Sequence, residues 1–179
     1  MPNIIGIAFI IFLKFAIPTA ILFFPFIAGW ANFILDTIDG DMLIPLGLAD
    51  LAYQLIDKVA DWTTYIGMVL AAWRFRWSIK KWIYGLFIFR SIGQTAFLMT
   101  GDEKWLFIFP NFLEPLFLVY ATIFFFNKAS EPMAYEFYLK HKQAVWIFVI
   151  IYKIQDEYLT HIANVDRSDL IKNLVDKLP

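Results

Sequence analysis

Six aspartates (Asp36, Asp39, Asp41, Asp50, Asp57 and Asp61) fall in a short stretch of chain that carries one lysine, Lys58. The spacing is informative. Asp36 and Asp39 are three residues apart and Asp57 and Asp61 four apart, so on helices each pair shares a face. Four carboxylates meeting where two helices end repel one another unless a cation sits among them. Hard oxygen donors in that number suit Mg²⁺ or Mn²⁺, which makes Asp36, Asp39, Asp57 and Asp61 a candidate metal cluster. The alternative is an acidic interhelical loop that is merely solvated. Asp50 has a plainer role: it precedes the periodic run Leu51–Trp73 and is placed to cap a helix.

Hydropathy dictates the elements that must hold these carboxylates. The 179 residues are 60% hydrophobic and 20% aromatic, with a mean hydropathy of +0.63. A soluble fold of this size cannot hide so much apolar surface. The reading is an all-α integral membrane bundle of five or six transmembrane helices in the cell membrane, one domain over residues 1–161. A net charge of −1 argues against nucleic acid as a partner. With no cysteine, disulfides and thiolate chemistry are excluded. The start, apolar from Ile4 and lacking a basic leader, reads as a retained membrane segment.

Residues 4–35 contain Lys14, Pro18 and Pro25. As one helix they span about 48 Å, too little for two passes of about 30 Å each. One crossing, kinked near the prolines and ending at Asp36, is expected, with Lys14 snorkelling to the near surface. Pro45 and Gly47 mark a turn, and the second crossing runs over Leu51–Trp73. Trp73–Trp82, with Arg74, Arg76, Lys80 and Lys81, reads as an interfacial loop anchored by tryptophans. The third crossing covers Ile83–Thr100 and the fourth Trp105–Phe126, joined at Gly101-Asp102-Glu103. Arg90 and Glu114 lie at matching depth in that hairpin, so both are expected to face the interior and to pair. Residues 127–143 read as a polar connection and 144–161 as the last crossing. There Lys153, Asp156, Glu157 and His161 form one polar stripe, on the side of the aspartates, around a polar cavity. Residues 162–179 read as a soluble amphipathic tail.

The aspartate spacing resembles that of the CDP-alcohol phosphatidyltransferases. That family carries D-x2-D-G-x2-A-R-x8-G-x3-D-x3-D across two transmembrane helix ends. Asp36, Asp39, Gly40, Asp57 and Asp61 match its acidic and first-glycine positions without a gap, and Pro2-Asn3-Ile4 resembles its N-terminal start. The likeness covers residues 2–75. It implies a metal-dependent phosphotransferase of phospholipid biosynthesis, in which a hydroxyl displaces CMP from a CDP-linked lipid or alcohol. By the same resemblance Asp36, Asp39 and Asp57 hold the metal, Asp61 shares it and serves as general base, and Gly40 adjoins the substrate. Six crossings and a homodimer are also implied. Arg90 and Lys153, chosen by depth and side alone, are candidates to neutralise a lipid phosphate.

Three positions depart from the motif. Leu43-Ile44 stand where the family has Ala-Arg, and Tyr53 where it has its second glycine. Such changes also fit a second reading, a catalytically degenerate scaffold or cation-binding protein of the same fold. A third is a small cation transporter gated by Arg90 and Glu114. Charge bias adds a constraint: Arg74, Arg76, Lys80, Lys81, Lys128, Lys140 and Lys142 gather opposite the aspartates, which the positive-inside rule places outside the cytoplasm.

Overall fold

A computed structural model describes residues 2–161, and among these the chain is helical without a strand. The helices are α1 (Ile4–Ile21), α2 (Pro25–Leu43), α3 (Asp50–Arg74), α4 (Lys80–Thr100), α5 (Lys104–Ile108), α6 (Leu113–Phe126) and α7 (Glu131–His161). The all-α expectation holds. Helix α1, with a mean hydropathy of 2.4, is the one helix among the described residues long and apolar enough to cross a membrane. The tail expected over 162–179 lies outside the described residues.

The single kinked crossing over 4–35 is corrected to two packed helices, α1 and α2. Pro25 is the first residue of α2, where its missing N–H costs nothing and its fixed φ favours a fresh start. The helical segment does not stop at Asp36. Helix α2 carries Asp36 and Asp39 within it and continues to Leu43, so the two helices measure about 27 and 29 Å. Asn3 caps α1, its side chain accepting from the Gly6 N–H at 3.0 Å, and its own N–H donates to Leu46 O at 2.9 Å. The chain start therefore lies beside the turn that leads into α3.

Four other expectations change. Asp50 is not the cap of α3: Ala49 holds that position, and Asp50 sits in the first turn, where its charge still complements the helix dipole. Trp77 is not an interfacial anchor but is fully buried, its ring 5.1 Å from Phe117 and 4.9 Å from Tyr120. The fourth apolar segment is broken at Phe109–Phe112, where Pro110 cannot continue a helix. The polar connection over 127–143 shrinks to Asn127–Ser130, because α7 begins at Glu131. The Glu131 carboxylate accepts from Ser78 N–H at 2.7 Å and from Tyr120 O–H at 2.8 Å, tying the start of α7 to two neighbouring segments.

The interior is divided along the helices. The C-terminal half of α3 (Tyr65, Met68, Ala71, Ala72) packs with Trp77, Phe117, Tyr120 and Tyr138 into an apolar core. Its N-terminal half carries Asp57 and Asp61 toward a polar interior. Helix α1 reaches α3 closely enough that a Cβ added to Gly67 stands 2.7 Å from Pro18 O. That contact is with backbone, so it cannot be relieved by turning a side chain. We expect Gly67→Ala to destabilise the protein by about 1–3 kcal/mol. Thermal unfolding in detergent checks this, and an unchanged melting temperature would show that α1 and α3 do not cross so closely.

Candidate functional site

Asp36 and Asp39 on α2 and Asp57 on α3 meet in space, with one carboxylate oxygen from each within 4.8 Å of the others. Helical spacing turns each pair to one face, and the close approach of α1, α2 and α3 brings the faces together. Asp39 is fully buried, Asp57 partly so, and Asp36 stands at the open edge. Three carboxylate oxygens so gathered are a donor set that a hard divalent cation fits.

A positive group is already present. Lys14 does not snorkel to a surface; it is 3% exposed and its ammonium lies among the three aspartates. It is paired with Asp39, donates to Asp57 at 2.7 Å and stands 3.7 Å from Asp36. Side chains on a helix lean toward its N-terminus, which directs Lys14 to the end of the bundle where the aspartates lie. A second lysine, Lys58, donates to the other oxygen of Asp57 at 2.8 Å and lies 3.5 Å from Asp61. Asp61 also accepts from Gln94 Nε2 at 3.1 Å, which links α3 to α4.

Tyr53, at the motif's second glycine position, packs against the first, Gly40. Its hydroxyl donates to Asp39 at 2.8 Å, and a Cβ placed on Gly40 would meet that hydroxyl oxygen at 3.0 Å. The Lys14 ammonium stands 5.6 Å from the centre of the same ring, within range of a cation–π attraction. At the family's Ala-Arg positions, Leu43 is buried in the interior and Ile44 is exposed.

A second charged group faces the first. Arg90 on α4 is buried and bonded to Glu157 on α7 at 3.2 Å, with its Nη1 also donating to Leu106 O and Phe109 O. The expected Arg90–Glu114 partnership is thus corrected: equal depth in one hairpin placed both residues inside, but α7 supplies the carboxylate that Arg90 grips. The break after α5 exposes the carbonyls that Arg90 uses. Lys153 is held by Asp156 at 2.6 Å, and Glu157 accepts from the Asn111 N–H at 3.0 Å. Asn111 also donates to the Tyr65 hydroxyl at 3.0 Å. Sequence reasoning missed Asn111, Tyr65 and Gln94. Asn111 follows Pro110 at the helix break, the one signal that could have marked it.

The two groups border one open cavity of about 450 Å³. Asp36, Gly40, Asp57, Asp61, Arg90 and Lys153 all line it, whereas Asp39 lies behind them. Asp156 and Glu157 of the expected stripe line it too; the His161 side chain lies outside the described residues. Eight carboxylates and three cationic side chains form its wall, so the cavity favours cations over bare anions.

Asp39 is fully buried between Lys14 and Tyr53, so its removal leaves a buried ammonium short of a partner. We expect Asp39→Ala to destabilise by up to about 3–5 kcal/mol, the cost of breaking a buried ion pair. Asp50→Asn, at an exposed first turn, should stay within about 0.5 kcal/mol. Thermal unfolding of both variants checks the contrast.

No protein-family model, no curated protein and no solved structure matches this chain.

Proposed function

We propose that this is a multi-pass membrane protein whose acid-lined cavity serves metal-dependent phosphotransfer. In that reaction a hydroxyl displaces CMP from a CDP-linked lipid or alcohol. One observation carries the reading: aspartates at the motif's spacing on two helices converge beside a cavity of about 450 Å³, within the size range of small-ligand sites.

The distribution of side chains supports the membrane part. Large apolar residues stand exposed along the outside of several helices, among them Ile34, Leu55, Leu70, Ile92 and Ile151, while Lys14, Asp39, Arg90, Lys153 and Glu157 are buried. A chain that hides charge and exposes isoleucine is built for hydrocarbon surroundings. On α3 the cavity wall takes Asp57, Lys58 and Asp61, and on α7 it takes Lys153, Asp156 and Glu157.

A divalent cation, when bound, supplies positive charge against the diphosphate and the departing CMP. The chain's own residues do the rest. Asp36, Asp39 and Asp57 offer the ligand oxygens. Asp61, fixed by Gln94 and Lys58, faces the cavity as an acceptor for the proton of the incoming hydroxyl. Arg90 and Lys153 lie on the opposite wall, where a lipid phosphate would have to compete with Glu157 and Asp156 for them.

Tyr53 favours a second reading, a degenerate member of the same fold that binds a cation without turnover. The resemblance reserves that place for glycine so that the cytidine can approach the backbone, and here a phenol fills it. One experiment separates the two. Purified protein is given a CDP-linked lipid and an alcohol acceptor, and CMP release is followed with and without Mg²⁺. Mg²⁺-dependent release that falls at least about a hundredfold in Asp61→Asn fits loss of a general base and upholds the transferase. Stabilisation by Mg²⁺ with no CMP release and no response to CDP leaves the degenerate reading. No response to metal at all defeats both.

A further inference from the structure

Lys14 belongs to no part of the aspartate motif. It is the sole charged residue of α1, a helix of eighteen residues that is otherwise apolar apart from one threonine. Its ammonium nevertheless touches the three carboxylates, drawn from two other helices, whose oxygens lie closest together. We propose that Lys14 is a tethered cation that holds Asp36, Asp39 and Asp57 together when no metal is bound and competes with a divalent ion for them. The inference rests on reading these aspartates as a cation site.

Physical reasons favour competition over coexistence. A divalent ion and an ammonium that share the same three carboxylates are pushed apart by like charge at a few ångströms, in surroundings that screen poorly. Lys14 is 3% exposed, so it has little water to stabilise it once its partners are taken. Tyr53 strengthens the resident state by bonding Asp39 and presenting its ring to the ammonium. Lys58 completes it by neutralising the far side of Asp57. An acidic cluster normally leaves the choice of cation to solution; here one candidate is covalently attached and present at high effective concentration.

The test compares Mn²⁺ affinity of the detergent-purified full chain in wild type, Lys14→Met and Lys14→Arg, by titration calorimetry and by melting temperature. Lys14→Met is expected to bind Mn²⁺ at least about tenfold tighter than wild type, a coupling of ordinary allosteric size. Its metal-free melting temperature falls and is restored by Mn²⁺. Lys14→Arg keeps the charge and should show no such gain. Equal or weaker binding in Lys14→Met overturns the inference while leaving the cation site standing. Absence of Mn²⁺ binding in every variant overturns the inference and the cation-site reading together. If Lys14→Met folds only with Mn²⁺ present, the inference is upheld; if it folds in neither condition, Lys14→Gln replaces it and the same affinity comparison decides.

Discussion

Lys14 carries a charge into a space with almost no water, and three aspartates from two other helices meet it there. Burying either sign alone would cost several kcal/mol per ion, so neither could be held inside without the other. This matching constrains the bundle. Helix α1 must lie against both α2 and α3, and the turn after α2 must return the chain so that Asp57 faces back toward Asp39. A second matched set, Arg90 with Glu157 and Lys153 with Asp156, imposes the same demand on α4 and α7. The Gln94–Asp61 bond ties α4, which carries Arg90, to α3, which carries Asp57.

The cluster itself was legible in the sequence because helical spacing is a local property: three- and four-residue intervals put two carboxylates on one face wherever the helix goes. What could not be read locally was the partner. A lysine in an apolar run is assigned to the nearest surface when the fold is unknown, and only the packing of α1 on α2 and α3 shows that its nearest counter-charge is inside. The hairpin of α1 and α2 was obscured for a related reason. Asp36 in an apolar run marks the end of a crossing only where its charge must reach water; matched inside a bundle, it lies within α2. Arg90 repeats the lesson, since depth along the chain placed it correctly and α7, distant in sequence, supplied its partner.

Two of the three departures from the phosphatidyltransferase pattern, Ile44 and Tyr53, bear on the same few groups. The motif's arginine position is Ile44, exposed and uncharged, so α2 brings no cation to the cluster; Lys14 brings one from α1 instead. The motif's second glycine is Tyr53, and its ring lies on the first, Gly40, while its hydroxyl bonds the aspartate that Lys14 also binds. Lys14 and Tyr53 thus fill and neutralise the same small volume around Asp39.

That volume is only half of the cluster. Asp39 is sealed by Lys14 and Tyr53 and does not border the cavity, whereas Asp36, Asp57 and Asp61 do. A cation arriving from the cavity thus meets Asp36, Asp57 and Asp61 first, the last two already bonded to Lys58, and reaches Asp39 only by displacing the ammonium. Entry from the open side, rather than the number of carboxylates, sets the order in which ligands become available. The cluster accordingly divides into a closed part that stabilises the helix packing and an open part that can exchange ions with the cavity. The proposed phosphotransfer would begin in the open part, where Asp61 is fixed by Gln94 and borders the cavity, and would draw on Asp39 only once the ammonium has moved aside.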